Sequence, residues 1–326
     1  MASFFCSTKF FLLLFLLSAI PFALIIHLEI SDPATHVFEY HSAGWFRECA
    51  KWDDVNQRFL VSYFDGGFGV IPVPENYSSG TVLEEIPVVN NVDFGKNKTL
   101  GFVIDRPRNR VVVAIGDAVG NRYGGVAAYD LTSWKRIFLT KLSGPEDKAF
   151  AEDLAIDTEG NAYITDPLGN KIWKVGVNGE FISIIKSPLF IPKEWYNNLF
   201  GLNGIVYHPN GYLLVLHMVS GKLYKIEIEK RNEVKLVNIL GGGSLRFGDG
   251  MEFLSPTKLV VAGMTSKLVE SSDDWESATI VGKCRGATHR LATAPTLKDG
   301  KVYLSHILGL GYPRKKHVLV EAVFST

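Results

Sequence analysis

The chain has 326 residues, 47% of them apolar, with 34 Lys and Arg matched by 34 Asp and Glu. That is about twice a typical domain length, which a single large β-propeller or barrel would fill. The charge balance excludes a basic nucleic-acid footprint, and the short run Arg314-Lys315-Lys316 reads as a solvated loop.

The first element follows Lys9. Phe10 to Ile26 is an apolar run whose only polar member is Ser18, interrupted by Pro21. At 1.5 Å per residue it makes roughly 26 Å of helix, a little short of a ~30 Å bilayer core. A charged start, an apolar run and an end with Pro21 and Ala23 predict a signal peptide over 1–26, with an uncleaved signal anchor as the alternative. Contact with a membrane is expected only through this segment, if it is retained. The sequons Asn76-Tyr77-Ser78 and Asn97-Lys98-Thr99 fit a glycoprotein of the secretory pathway, whether extracellular, vacuolar or in the lumen of the endoplasmic reticulum. Cys6 falls in the signal, leaving Cys49 and Cys284 either to pair or to stay as free thiols.

Residues 30–326 read as one domain of repeats. Short β-rich runs begin at Gln57, Asn109, Gly160, Gly211, Thr257 and Gly300, at steps of 52, 51, 51, 46 and 43 residues. Six copies at this spacing predict an all-β, six-bladed propeller of four-stranded blades. Further strands follow the copies, among them Lys171–Val175, Gly221–Ile226 and Lys235–Ile239. After residue 30 no stretch holds helical periodicity, and Leu189–Asn198 has room for one turn of helix. The last copy continues to His317–Val323 and lacks an outer strand. His36–Tyr40, which precedes blade one, is expected to supply it and close the ring.

Aligning the residues before each copy gives one position per blade. Glu152, Asn203 and Asp249 each precede their copy by eight residues, and pattern matching adds Glu48, Leu100 and His289. In a propeller the innermost strands line a central channel, so these residues should converge at one level. Clustered carboxylates cannot all ionise without a neutralising cation. Glu, Asp and Asn oxygens are hard ligands that suit Ca²⁺. Asp166, His217 and His306 end the following strand in their blades and could also face the channel.

The sequence resembles the senescence marker protein, gluconolactonase and luciferin-regenerating enzyme family, over roughly residues 36–324. Paraoxonases, diisopropyl fluorophosphatase and plant phosphotriesterase-like proteins are relatives. Asn203-Gly204-Ile205 and Asp249-Gly250-Met251 match the family's ligand motifs cleanly. Glu48, Trp52 and Asp53 match its first motif, whose Gly and Pro are missing here, and Glu152 stands where the family has Asn. The resemblance implies one Ca²⁺ held by Glu48, Glu152, Asn203 and Asp249. It implies hydrolysis of a small-molecule lactone, ester or phosphotriester, with Asp249 as nucleophile or base and His289 as an acid/base group at the rim. Asp153 matches a position that helps hold a second, structural Ca²⁺ in paraoxonases.

Two other readings stand beside this one. Strictosidine synthase-like propellers condense an amine with an aldehyde through a pocket glutamate without metal, and a propeller can also simply bind a ligand or protein. A serine hydrolase is disfavoured because no G-x-S-x-G elbow occurs. Cys49 and Cys284 lack zinc-site spacing. With Cys49 in blade one and Cys284 assigned to blade six, closure would make them neighbours, and a disulfide between them is expected.

Overall fold

The computed structural model describes residues 8–30, 34–90, 95–144, 148–284 and 286–325. It divides into two units, Met1–His36 and Val37–Thr326. The first is a helix, α1 (Thr8–Ile30), with Pro21 inside it. Residues 1–7 of the expected signal segment, Cys6 included, lie outside the described residues. Among the described residues no helix is long and apolar enough to cross a membrane.

The second unit is a six-bladed β-propeller of four-stranded blades. From the channel outward, blade one comprises Arg47–Asp53, Arg58–Tyr63, Phe68–Pro72 and Ile86–Val89. Blade two comprises Lys98–Asp105, Arg110–Gly116, Arg122–Asp130 and Arg136–Lys141, and blade three Leu154–Ile156, Ala162–Asp166, Lys171–Val175 and Phe181–Lys186. Blade four comprises Leu202–His208, Tyr212–His217, Lys222–Glu227 and Glu233–Leu236, and blade five Gly248–Ser255, Lys258–Gly263, Ser266–Glu270 and Ser277–Cys284. Blade six has Ala292–Lys298, Lys301–His306 and Lys315–Glu321 before its outer strand. That outer strand is Val37–Ser42, antiparallel to Lys315–Glu321 with Val37 opposite Val320 and Tyr40 opposite His317. The first strands of neighbouring blades touch all the way round the channel.

Each repeated run is the second strand of its blade, and the residue that opens it turns the hairpin. Asn109 (φ 47°), Gly160 (φ 90°) and Gly211 (φ 89°) take the left-handed conformation that Gly and Asn tolerate best. Period-two alternation then sends successive side chains to opposite faces of the blade. Leu60 packs towards blade two with Val111 and Val113, while Phe59 and Val61 pack towards blade six with Tyr303 and Leu319. The core is accordingly six apolar clusters, one between each pair of neighbouring blades.

Three expectations are corrected. The strand expected over Lys235–Ile239 is split: Glu233–Leu236 stays in blade four, while Asn238–Leu240 runs parallel to the outer strand of blade five. Buried Val237 marks the switch. Both cysteines are free. Cys284 ends the outer strand of blade five, not blade six, whereas Cys49 lies on the innermost strand of blade one, so one thiol is at the rim and the other near the axis. The basic run is not a solvated loop either. Lys315 is buried and opens the third strand of blade six, Lys316 Nζ meets Glu39 Oε1 at 2.8 Å, and Arg314 Nη1 donates to Glu84 Oε1 at 3.0 Å.

Candidate metal centre

The innermost strands carry an irregularity at the same level. Register slips by one residue between Arg47 and Ala50, Thr99 and Phe102, Leu202 and Ile205, Gly248 and Met251, and Ala292 and Ala294. In blade three Glu152 N–H donates to Thr165 O, and Thr165 N–H returns to Asp153 O, the same two-against-one arrangement. A bulge bends the strand and re-aims its side chains, here toward the axis. It also strands an N–H, which the second strand satisfies with a hydroxyl. Cys49 N–H donates to Ser62 Oγ, Asp153 N–H to Thr165 Oγ1 and Ala294 N–H to Ser305 Oγ, at 3.1 to 3.2 Å.

The bulges tie the blades to one another. Thr293 Oγ1 in blade six donates to Glu48 O in blade one, and Gly101 N–H in blade two donates to Glu152 O in blade three at 2.9 Å. Ile205 N–H in blade four donates to Asp153 Oδ2 at 3.3 Å. Blades four and five approach so closely that a Cβ on Gly204 would sit 2.3 Å from Asp249 O.

This waist gathers the acids. Ligand oxygens of Glu48, Glu152 and Asp249 all lie within 4.8 Å of one another. Glu48 and Glu152 are buried and Asp249 is partly so. Burial, then Asp249 and Asp153, pushes the Glu48 carboxyl well above its ordinary range. Burial, followed by Asp249, Asp153 and Glu48, does the same to Glu152. Asp249 is pushed up to about 7 by burial and then by Asp153, against the opposing effect of the Asn203 amide. Asn203 is buried, with its Nδ2 3.6 Å from Met218 Sδ. Glu152 Oε2 and Asn203 Oδ1 are buried oxygens without a hydrogen-bond partner. Such atoms are costly unless a ligand or water meets them. Beneath the acids is a space of about 10 Å³, room for one water-sized body. An all-oxygen donor set, two orphaned oxygens and a space of this size fit a hard cation.

The other residues singled out in the sequence are placed differently. The register of blade six puts Thr293, not His289, at the level of the acids. His289 sits four residues earlier in a 3₁₀ turn, Thr288–Arg290, near His306, because the entry to this blade is longer than the pattern assumed. Asp166 is buried and accepts from Phe150, Leu168 and Gly169 N–H groups, which makes it a turn cap. His217 accepts from Ser220 N–H and His306 is buried; burial pulls each down to about 4. Asp153 lines the small space shared with the three acids and also the cavity at the opposite end of the channel, with Lys51 and Glu252. Leu154 N–H and Ile205 N–H both donate to it.

Above the acids the channel widens into a cavity of about 460 Å³ whose lining includes Glu48, Leu100, Glu152, Asn203, Asp249 and Thr293. One residue from each blade thus forms its floor. Its upper walls come from loops that no repeat alignment reaches, including Phe64, Phe200 and Phe247. Thr293 could have been found from the sequence only by allowing the blade-six spacing to shrink by one residue.

No family model matches the sequence, and no curated protein does. Solved structures are similar in fold. A protein of unknown function from Bacteroides caccae aligns at TM-score 0.53 and 14% identity over 74% of this chain and 82% of its own. Streptogramin B lyase aligns at TM-score 0.51 and 8% identity, over 89% of this chain and all of its own. Virginiamycin B lyase from Staphylococcus aureus aligns at TM-score 0.51 and 9% identity, over 87% of this chain and 99% of its own. At such identities the similarity is one of fold.

Proposed function

We propose that the chain is a calcium-dependent hydrolase of the lactonase, esterase or phosphotriesterase type, as its motif resemblance to the gluconolactonase-like family implies. Glu48, Glu152, Asn203 and Asp249 would hold the ion. The observation that carries the reading is the meeting of three carboxylates from three blades within 4.8 Å, on the floor of a cavity. Bound there, Ca²⁺ would supply a Lewis acid that polarises a carbonyl or phosphoryl oxygen. Asp249, the least buried of the acids, is the group positioned to take a proton from an attacking water or to attack in its own right. Glu48 and Glu152 would help to hold the ion, and the apolar walls would keep bulk water from the reacting centre. His289 is not among the residues lining the cavity, so proton transfer is assigned to Asp249 alone. In this reading the chain belongs to the secretory pathway and α1 is its signal or anchor. Asn76, exposed on a turn, is then its better glycan acceptor, because Asn97 is half-buried beside buried Thr99.

Calorimetric titration with Ca²⁺, paired with lactone and ester hydrolysis in calcium and in chelator, tests the proposal. Substituting Glu152→Asn lowers the charge of the site by one. It is expected to keep calcium binding, several-fold weaker, and to raise the rate on lactones, because the less neutralised ion withdraws electrons more strongly. Titration and initial rates on one preparation check both halves of that expectation.

The pH dependence has a definite sign. An unfolded Asp ionises near 4, whereas metal-free folded Asp249 keeps its proton up to about 7 and Asp153 up to about 6. This protonation favours the metal-free fold below about 4, and the contribution is lost as pH rises through 6 to 7. Calcium requires ionised ligands. Glu48 and Glu152, held well above their ordinary range, act in the same direction, so the gain in melting temperature from calcium should be small at pH 5 and larger at pH 7.5. The buried imidazoles of His217, His306 and His317, each pulled down to about 4, act equally in both arms and cancel. Paired melting curves in calcium and chelator at the two pH values read the difference.

A further inference from the structure

The cavity above the acids has a one-sided chemistry. Its walls carry Phe64, Phe150, Phe200, Phe247, Met218 and Met264, and among the described residues no Lys, Arg or His lines it. Apart from the floor residues, Asn121 is, among the described residues, the one lining side chain with a nitrogen or oxygen to hydrogen-bond. Phe150 and Phe200 meet edge to face at 6.1 Å, so part of the wall is preassembled. At the mouth the pattern continues outward. Phe247, Met264 and Leu291 are 52%, 62% and 47% exposed, and such apolar groups converging on one opening mark a surface that a ligand covers. A volume of about 460 Å³ lies within the range of small-molecule sites.

Taking the hydrolase reading as its basis, we infer that the substrate is neutral and lipophilic: a lactone or ester bearing an alkyl or aryl chain of about six to ten carbons. A sugar lactone presents several hydroxyls. Most would be desolvated against Phe and Met without partners, which is strongly selected against. An anionic substrate would meet no cationic side chain among the described residues, and a floor whose three carboxylates outweigh the charge of one divalent ion. An alkyl chain loses nothing on leaving water, and each buried methylene favours binding. The chain runs up the aromatic wall while the reacting carbonyl rests on the floor beside Asp249.

The test compares kcat/KM for γ-butyrolactone, γ-decalactone and δ-gluconolactone, with a binding arm that follows displacement of the neutral dye N-phenyl-1-naphthylamine. The expected result is a rise from the four-carbon to the ten-carbon lactone of about a hundredfold, within the roughly fourfold available per methylene, and little turnover of gluconolactone. Phe247→Asn with Met264→Gln should cut that ratio at least tenfold. Both side chains are more than half exposed, Asn tolerates the left-handed backbone at Phe247 (φ 57°), and an intact calcium-dependent melting shift shows that the variant ring has formed. Gluconolactone turned over as fast as decalactone would overturn the inference and leave the hydrolase reading standing. Displacement of the dye by decalactone but not butyrolactone, with no lactone hydrolysed, would remove the hydrolase reading and keep an apolar ligand in the cavity. A chain-length ratio that is flat, or that the mouth variant does not change, would overturn the inference.

Discussion

An Asp249→Ala propeller should melt at the same temperature in calcium and in chelator, while the unsubstituted protein should gain a few degrees in calcium. The expectation follows from where the ligands come from. Glu48, Glu152, Asn203 and Asp249 belong to four blades, so the site exists only in the closed ring. An ion that binds the folded state alone stabilises it by about 2.7 kcal/mol at a hundredfold excess over Kd, a shift of a few degrees for a domain of this size. Without Asp249, the remaining ligand residues Glu48, Glu152 and Asn203 would offer the ion one negative charge fewer. Lactone hydrolysis should be lost in the same variant. Differential scanning calorimetry with and without chelator decides the matter. An unsubstituted protein indifferent to calcium would move the reading to a metal-free condensing enzyme or a binding propeller.

Removing residues 34–42 should unfold the propeller at temperatures where the full chain is folded. The segment supplies the outer strand of blade six, with a six-residue antiparallel ladder to Lys315–Glu321. Phe38 and Tyr40 are buried on it. Phe38 packs against Phe59 and Tyr303 at 5.2 and 5.1 Å, and Tyr40 stacks on His317 at 5.2 Å. Two buried aromatics alone contribute about 2 to 3 kcal/mol each, against a total of roughly 5 to 15 kcal/mol for a folded domain. Ser42 is lost as well, and with it a partner of the buried Arg47–Glu85 ion pair. Circular dichroism melting of residues 34–326 against residues 43–326 measures the effect. Melting points within a few degrees of each other would mean that the seam holds without this strand.

The architecture was legible because turn chemistry and β-rich runs recur in every blade. Gly160 and Gly211 open their runs as Asn109 does, and the missing outer strand of blade six left His36–Tyr40 with one place to go. The floor of the site was legible wherever the hairpin length is constant. Glu152, Asn203 and Asp249 share a spacing of eight to their hairpin, and they meet as the spacing implies. Blade six broke the rule, since its 3₁₀ turn around His289 displaced the match and hid Thr293. The disulfide failed for a related reason: strands near the rim carry weaker periodicity, so Cys284 was assigned to the wrong blade. The aromatic walls were not legible at all. Phe64, Phe200, Phe247 and Met264 sit in connections between strands, where no repeat constrains the sequence and only the closed ring brings them together.

The ring of innermost strands, in contact all the way round and hydrogen-bonded at three of its junctions through Thr293 and Glu48, Gly101 and Glu152, and Ile205 and Asp153, behaves like a hoop on a cask. A hoop has no end at which loosening can start, and a cut anywhere releases the whole circumference. No fragment of this chain inherits a fraction of the site, and a missing or duplicated blade would change its radius and silence it altogether. The outer staves bear none of that constraint. They vary in number, since blades five and six each carry a fifth strand, while the innermost ring takes one strand from every blade.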